Sequence, residues 1–480
     1  MNCVKSFFSR LENPKNFKMG LIIVFLLCFS YWIFLMFTTE MYVVFDAKGY
    51  LDIGEMIHNK GWVEFFKTGP NREPMYPAII SSSISIGEAF NVPYQFILKA
   101  IQVGLLFLTQ ILMLKLLNIL KINRAVSLVT LLYCGFSPAL VNSAFSMFSE
   151  ICTLPSILLL VLCLIKSWNS IRDKRVSGAV KMGLVTSFAF LLCILSKGVF
   201  LGVFMIVMAA ILINGVLAYF RKDIKYFLNS LIFILVSLCM IFSFMFCYMN
   251  ANKTYNGHFQ YTNRFTDILY GTAYKRTQKV TPRIIGAHIA TIPGKGVCRR
   301  FFSEEECVYC EAYSADYFAA SKLPALLENI SVEDRDSEVV RLSVEQALTN
   351  PVQYVLFMFY EASRMPFWES TKVGFVKYPD FLENIFSFGL FKDTLRLLVS
   401  LVTIISVIYL AIFCFRERKG IFNHLSCNDQ ARLLFIMLFL ICAFTSFFMM
   451  TFILTRYAFP IVPIYLLSIA FWMHNLIKQD

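Results

Sequence analysis

Long uncharged stretches alternate with short charged ones along the whole sequence. Apolar runs lie near 20–38, 94–119, 125–145, 149–167, 178–196, 198–219, 226–249, 387–415, 431–453 and 457–475. A helix of ~20 residues crosses a bilayer, so each run is expected to be a span. Residues 178–219 are nearly continuously apolar except at Lys181 near their start and at Lys197, and their length suits two spans with a turn at Lys197. Lipid offers the backbone no hydrogen bonds, and helices satisfy their own. The expected fold class is therefore an all-α polytopic membrane protein with about ten transmembrane helices.

Two segments are too polar to span. The first loop, 40–92, is expected to hold interfacial helices, and 250–386 is long enough for a small helical insertion. The insertion contains Ser303-Glu304-Glu305-Glu306 and Glu333-Asp334-Arg335-Asp336. It also contains Pro351 to Trp368, apolar around Glu361 and Arg364, which reads as an interfacial helix. The predicted parts are a transmembrane module over 1–249, the insertion over 250–386, and C-terminal transmembrane helices over 387–480. The sequence shows no internal repeat and no low-complexity tract.

Composition agrees with this class: the 480 residues are 58% hydrophobic and 16% charged, against roughly 25% charged in soluble domains. The net charge of +13 does not point to nucleic acid, because the basic residues sit in short clusters between apolar runs rather than on an aromatic-interleaved face. Lys5, Arg10, Lys15 and Lys18 precede the first run, and no small-residue cleavage site follows it, so an uncleaved signal anchor is expected.

With the N-terminus placed in the cytoplasm, the inner segments collect Lys121 and Arg124, then Arg172, Lys174, Arg175 and Lys181. They also collect Arg221, Lys222, Lys225, Arg416, Arg418, Lys419 and Lys478. The short outer turns hold only Lys197 and Arg456. The positive-inside rule thus predicts cytoplasmic N- and C-termini.

Ionisable groups at membrane depth are costly and tend to be functional. On this topology Asp46, Arg72, Glu150, Lys197 and Arg456 come from five separate connections and all fall at the outer boundary. Asp46, Tyr50, Ile53 and Ile57 share one helix face. A carboxylate at the head of that apolar stripe is partly desolvated, which raises its pKa towards the range of a general base; a helix N-cap is the alternative. Arg72, in Asn71-Arg72-Glu73-Pro74-Met75-Tyr76-Pro77, suits a phosphate or a lipid headgroup. Glu150 begins a span, where it either complements the helix dipole or accepts from a sugar hydroxyl. Lys197 and Arg456 run against the orientation rule, which favours function over snorkelling.

Most of the 14 cysteines lie in expected spans. Cys298, Cys307 and Cys310 lie in the insertion and allow at most one disulfide among themselves. Asn252-Lys253-Thr254 and Asn329-Ile330-Ser331 match the glycosylation pattern. No P-loop, dinucleotide-binding glycine motif, nucleophile elbow or histidine cluster occurs.

The chain resembles a GT-C glycosyltransferase of the family that uses polyprenyl-phosphate-linked sugars. That family includes protein O-mannosyltransferases and the bacterial enzyme that adds aminoarabinose to lipid A. The resemblance rests on Asp46 and Tyr50 after the first span, on Arg72-Glu73-Pro74-Met75-Tyr76-Pro77 closing the loop, on the Pro138 to Glu150 connection, and on Arg456-Tyr457 with Pro460 and Pro463. Many members have a tight acidic pair in the first loop. Here Asp46 is followed by Lys48, and the next acids are Asp52 and Glu55, so no metal and no other cofactor is expected.

The resemblance implies an inverting transfer from a polyprenyl-phosphate sugar to a hydroxyl on a glycan, lipid or protein acceptor, outside the cytoplasm. Asp46 would act as general base, with Arg72, Lys197 and Arg456 on the donor phosphate. Tyr50, Glu150 and Tyr457 would meet sugar or acceptor. A bacterial inner membrane is implied, or the endoplasmic reticulum membrane in a eukaryote. The competing readings are a transporter or flippase for a lipid-linked saccharide and an O-antigen ligase or polymerase. The first would be expected to show repeats and midplane charges.

Overall fold

The computed structural model describes residues 11–69, 72–173, 175–262, 266–277, 281–292, 295–310, 314–331, 334–371, 375–416, 428–447 and 458–479. The N-terminal part contains α1 (Pro14–Thr38), β1 (Glu40–Met41), α2 (Asp46–Lys67), α3 (Met75–Phe90), α4 (Tyr94–Ile119), α5 (Arg124–Phe136) and α6 (Pro138–Phe145). It continues with α7 (Glu150–Arg172), α8 (Val176–Ser196), α9 (Phe200–Phe220) and α10 (Ile224–Asn256).

Among the described residues, seven helices are long and apolar enough to cross a membrane: α1, α4, α7, α8, α9, α10 and, later in the chain, α19 (Gly389–Arg416). α5 and α6 meet at a 44° bend, the geometry of either a broken eighth span or a re-entrant loop. The bend has a local cause: Ser137 caps α6 through its hydroxyl, and Pro138 occupies the first helical position. Ten spans were expected. The described parts of the last two form α20 (Asn428–Phe447) and α21 (Val462–Gln479), neither of which is among the seven. The protein is thus a polytopic helical membrane protein.

Burial sorts the spans. In the most apolar window of α7, 83% of residues are buried, against 28% in α1 and in α19, so α7 forms the centre of the bundle and the other two present their flanks to lipid. The first loop folds as α2 and α3, which pack on each other and on the bundle without spanning it. α2 buries Tyr50, Ile53 and Ile57, the stripe expected from their spacing, and kinks at Gly61, where φ is +80°.

The insertion contains α11 (Thr266–Arg276), α12 (Pro282–Thr291), α13 (Lys295–Phe301), α14 (Glu304–Tyr309), α15 (Ser314–Leu326), α16 (Arg335–Thr349) and α17 (Pro351–Ala362). After it come β2 (Val376–Lys377) and α18 (Asp380–Ser387). Ser303 and Glu306 close a capping box at the head of α14. A disulfide joins Cys298 to Cys307, and Cys310 is a free, buried thiol. α17 leaves Val352, Leu356 and Phe359 exposed, the apolar flank expected of an interfacial helix.

β1 and β2 pair antiparallel, Glu40 opposite Lys377 and Met41 opposite Val376, and the Tyr42 N–H donates to the Phe375 carbonyl at 3.0 Å. This ladder clips the end of the insertion to the chain just before Asp46. A second tie lies deeper. Glu369 is fully buried and accepts from Tyr133 Oη, from Ser137 Oγ at 2.7 Å and from the Ala139 N–H at 2.9 Å. The carboxylate thereby sits on the bend between α5 and α6.

Candidate functional site

Asp46 is the first residue of α2, and the capping position belongs to Phe45. Phe45 has φ +50° and is 81% exposed, an uncommon conformation for an aromatic residue. Asp46 thus does not occupy the capping position. Its Oδ1 accepts from Arg72 Nη2 at 2.9 Å, an ion pair between the start of α2 and the loop that leads into α3. The sequence pointed to partial desolvation of this carboxylate; the structure adds a cationic partner beside it. For Arg72 itself, burial works downward, but Tyr50 and Asp46 outweigh it and hold the group above its ordinary value.

Tyr50 lies one turn along α2, with the Arg72 guanidinium 4.3 Å from its ring centre. Its hydroxyl hydrogen-bonds Ser149 Oγ at 2.9 Å, and its ring meets that of Tyr76 edge to face. Tyr76 in turn donates to Gln102 on α4 at 2.7 Å. Ser149 immediately precedes Glu150, the first residue of α7. Glu150 is buried, and its Oε1 lies 3.5 Å from Lys197 Nζ, at the turn between α8 and α9.

Asp46, Arg72, Tyr50, Glu150 and Lys197 therefore form one connected run. It joins the chain positions expected at a single boundary, from the first loop, the start of α7 and the α8–α9 turn. Neither ion pair is sealed off: the side chains of Asp46 and Lys197 are 22% and 19% exposed. Arg456 and Tyr457 lie outside the described residues.

Three contributors were not singled out from the sequence. Glu73 accepts from the Gly198 N–H at 2.9 Å, which fastens the loop carrying Arg72 to the turn carrying Lys197. Lys99, buried in α4, donates to the carbonyls of Met36 and Thr39 at 2.9 and 2.7 Å and so caps the end of α1 just before the site. Tyr248 on α10 has a buried hydroxyl with no partner among the described residues. Glu73 had a readable signal, being the acid inside the Arg72 motif; the other two acquire meaning only from neighbours far along the chain.

Tyr248 lines an apolar cavity of about 470 Å³ with Trp62, Phe66, Met75, Ile79 and Leu195. The cavity lies beside the run, since Met75 accepts from Ser196, the residue before Lys197. Among the described residues, no three His, Cys, Asp or Glu side chains gather closely enough to hold a metal ion.

The fold and this boundary site define a polytopic membrane protein with ion-paired, partly open polar groups beside an apolar cavity. No family model, curated protein or solved structure matches the chain.

Proposed function

We propose that the protein is a GT-C-type glycosyltransferase that moves a sugar from a polyprenyl-phosphate donor to a hydroxyl-bearing acceptor outside the cytoplasm. One observation carries this reading: the connected run from Asp46 through Arg72 and Tyr50 to Glu150 and Lys197 lies near the apolar cavity lined by Met75 and Tyr248, to which it is tied by the contact of Ser196 with Met75. A lipid phosphate needs cations at the boundary and an apolar channel for its tail, and this neighbourhood offers both.

In the proposed reaction the Asp46 carboxylate takes the proton of the acceptor hydroxyl while that oxygen attacks the anomeric carbon. The bond from that carbon to the phosphate oxygen breaks, and the lipid phosphate leaves with the electron pair. Inversion follows from attack opposite the leaving group. Lys197, Arg456 and Arg72 stabilise the phosphate charge, most effectively where water is sparse. Arg72 exchanges part of its contact with Asp46 for the phosphate, which frees the carboxylate when the donor is in place. Tyr50, Glu150 and Tyr457 contact the sugar or acceptor.

The orientation proposed is N- and C-termini in the cytoplasm of a bacterial inner membrane. The Cys298–Cys307 disulfide supports an extracytoplasmic insertion, because such bonds persist in oxidising compartments.

Purified protein incubated with radiolabelled polyprenyl-phosphate sugars should release label from the lipid only when an acceptor is present. Asp46→Asn should lower that release by roughly 10²–10⁴-fold with expression and melting temperature retained. Undiminished release by the variant would remove the base assignment. Movement of intact donor between leaflets would favour a flippase instead.

A further inference from the structure

A second cavity, of about 530 Å³, lies at the opposite end of the bundle. α7 runs from Glu150 at the candidate site to Arg172 at this cavity. At ~1.5 Å per residue the two ends stand about 30 Å apart, the thickness of a bilayer core. The proposed transfer makes no use of this cavity.

Its walls are ordered along the bundle axis. At the far end stand Lys121, Arg172, Arg432, Trp168, Asp429 and Gln430. Further in, the lining on α9 extends from Leu217 back to Val207, and on α20 from Leu433 forward to Leu440; both stretches are mainly apolar. Ten residues of helix are about 15 Å, half of a hydrocarbon core. Charge at the boundary and apolar wall to the midplane is the profile of one bilayer leaflet.

The polar end is also incompletely satisfied. Trp168 Nε1, Gln430 Oε1 and Asp429 Oδ2 are buried atoms with no hydrogen-bond partner among the described residues. Unpaired polar atoms in such a place are costly. The three differ in kind: the indole N–H can only donate, and the two oxygens accept. Among the described residues the lining brings together Lys121, Arg172, Arg432 and the carboxylate of Asp429, which lies 3.7 Å from Arg432.

We infer that this cavity is a binding site for one phospholipid whose head group carries hydrogen-bond donors, such as ethanolamine or glycerol. The phosphodiester meets Trp168 Nε1 and lies among the cations Lys121, Arg172 and Arg432 that line this end. The head-group N–H or O–H meets Asp429 Oδ2 and Gln430 Oε1. One acyl chain follows the wall formed by α9 and α20. Choline satisfies the phosphate contacts equally but has no donor for the two oxygens.

The test is native mass spectrometry of the full chain in nonionic detergent, titrated separately with dioleoyl phosphatidylethanolamine, phosphatidylglycerol and phosphatidylcholine. A one-to-one adduct is expected with the first two at concentrations about threefold to tenfold lower than with the third, the range of one or two hydrogen bonds. Trp168→Phe should weaken all three lipids alike by a similar factor, and Ala210→Phe, which fills the wall, should abolish the adduct. Equal retention of phosphatidylcholine, a saturable adduct unaffected by Ala210→Phe, or no adduct at all would overturn the inference. The selectivity of the unmodified chain decides the matter even if a variant fails to fold.

Discussion

Glu361→Gln should loosen the insertion measurably without touching the candidate site. Glu361 sits near the end of α17, with Lys275 Nζ 3.0 Å from Oε1 and Arg276 Nη2 2.8 Å from Oε2. All three residues are at most 1% exposed. Burial alone would push the Glu361 carboxyl up, but Lys275 and Arg276 hold it down, from an ordinary 4.5 to about 2. That depression corresponds to roughly 3 kcal/mol by linkage, at the low end of the ~3–5 kcal/mol for breaking a buried ion pair.

Burial also pulls Lys275 below its ordinary value, whereas Arg276 stays above its own. Arg276 is therefore the firmer partner. The folded carboxyl lies below its unfolded value, so the stabilisation is complete above about pH 4.5 and is lost as pH falls towards 2. Hydrogen exchange of the intact protein in detergent at neutral pH should show amides of α11 and α17 opening about a hundredfold more readily in Glu361→Gln. A change under about 1 kcal/mol would show that the triad behaves as a surface ion pair, and the argument from burial would fail.

His288 donates from Nε2 to the Tyr360 carbonyl at 3.0 Å and accepts at Nδ1 from Arg364 at 3.0 Å, so it is held neutral. Burial, with Arg364 beside it, pushes it down from 6.5 to about 3. Its contribution is full above pH 6.5 and is lost as pH falls towards 3; His288→Gln should remove that part of the acid sensitivity in a pH series of melting curves. Burial pushes the Glu369 carboxyl up, yet its oxygens receive only donors. Glu369→Gln, which turns an amide N–H₂ towards some of them, should cost about 1–3 kcal/mol, read as a fall in melting temperature. A Cβ at Gly54 would lie 2.5 Å from Ile80 Cγ2, where α2 crosses α3. Gly54→Ala should therefore destabilise by about 1–3 kcal/mol and, by separating the two helices, lower the proposed transfer through Arg72, checked by melting and label release together.

The polytopic helical class, seven of the expected spans, two helices in the first loop and the Tyr50–Ile53–Ile57 face were legible in the chain, because hydropathy and period are local properties that neighbours a few residues away decide. That Asp46, Arg72, Glu150 and Lys197 lie together was legible for a related reason: lipid makes the position of a charge along each helix informative. Their partners were not. Asp46 to Arg72, Glu150 to Lys197, Lys275 and Arg276 to Glu361, and Cys298 to Cys307 rather than Cys310 are choices among several chemically equivalent mates. Only the packing of α2 on α3, the α8–α9 turn beside α7, and the insertion folded on α17 bring one mate within ~4 Å, where Coulomb energy in a low dielectric separates it from the rest. Lys99 and Glu369 show the same division. Each reads in the chain as an isolated charge, and each becomes a helix cap through backbone supplied by a distant segment.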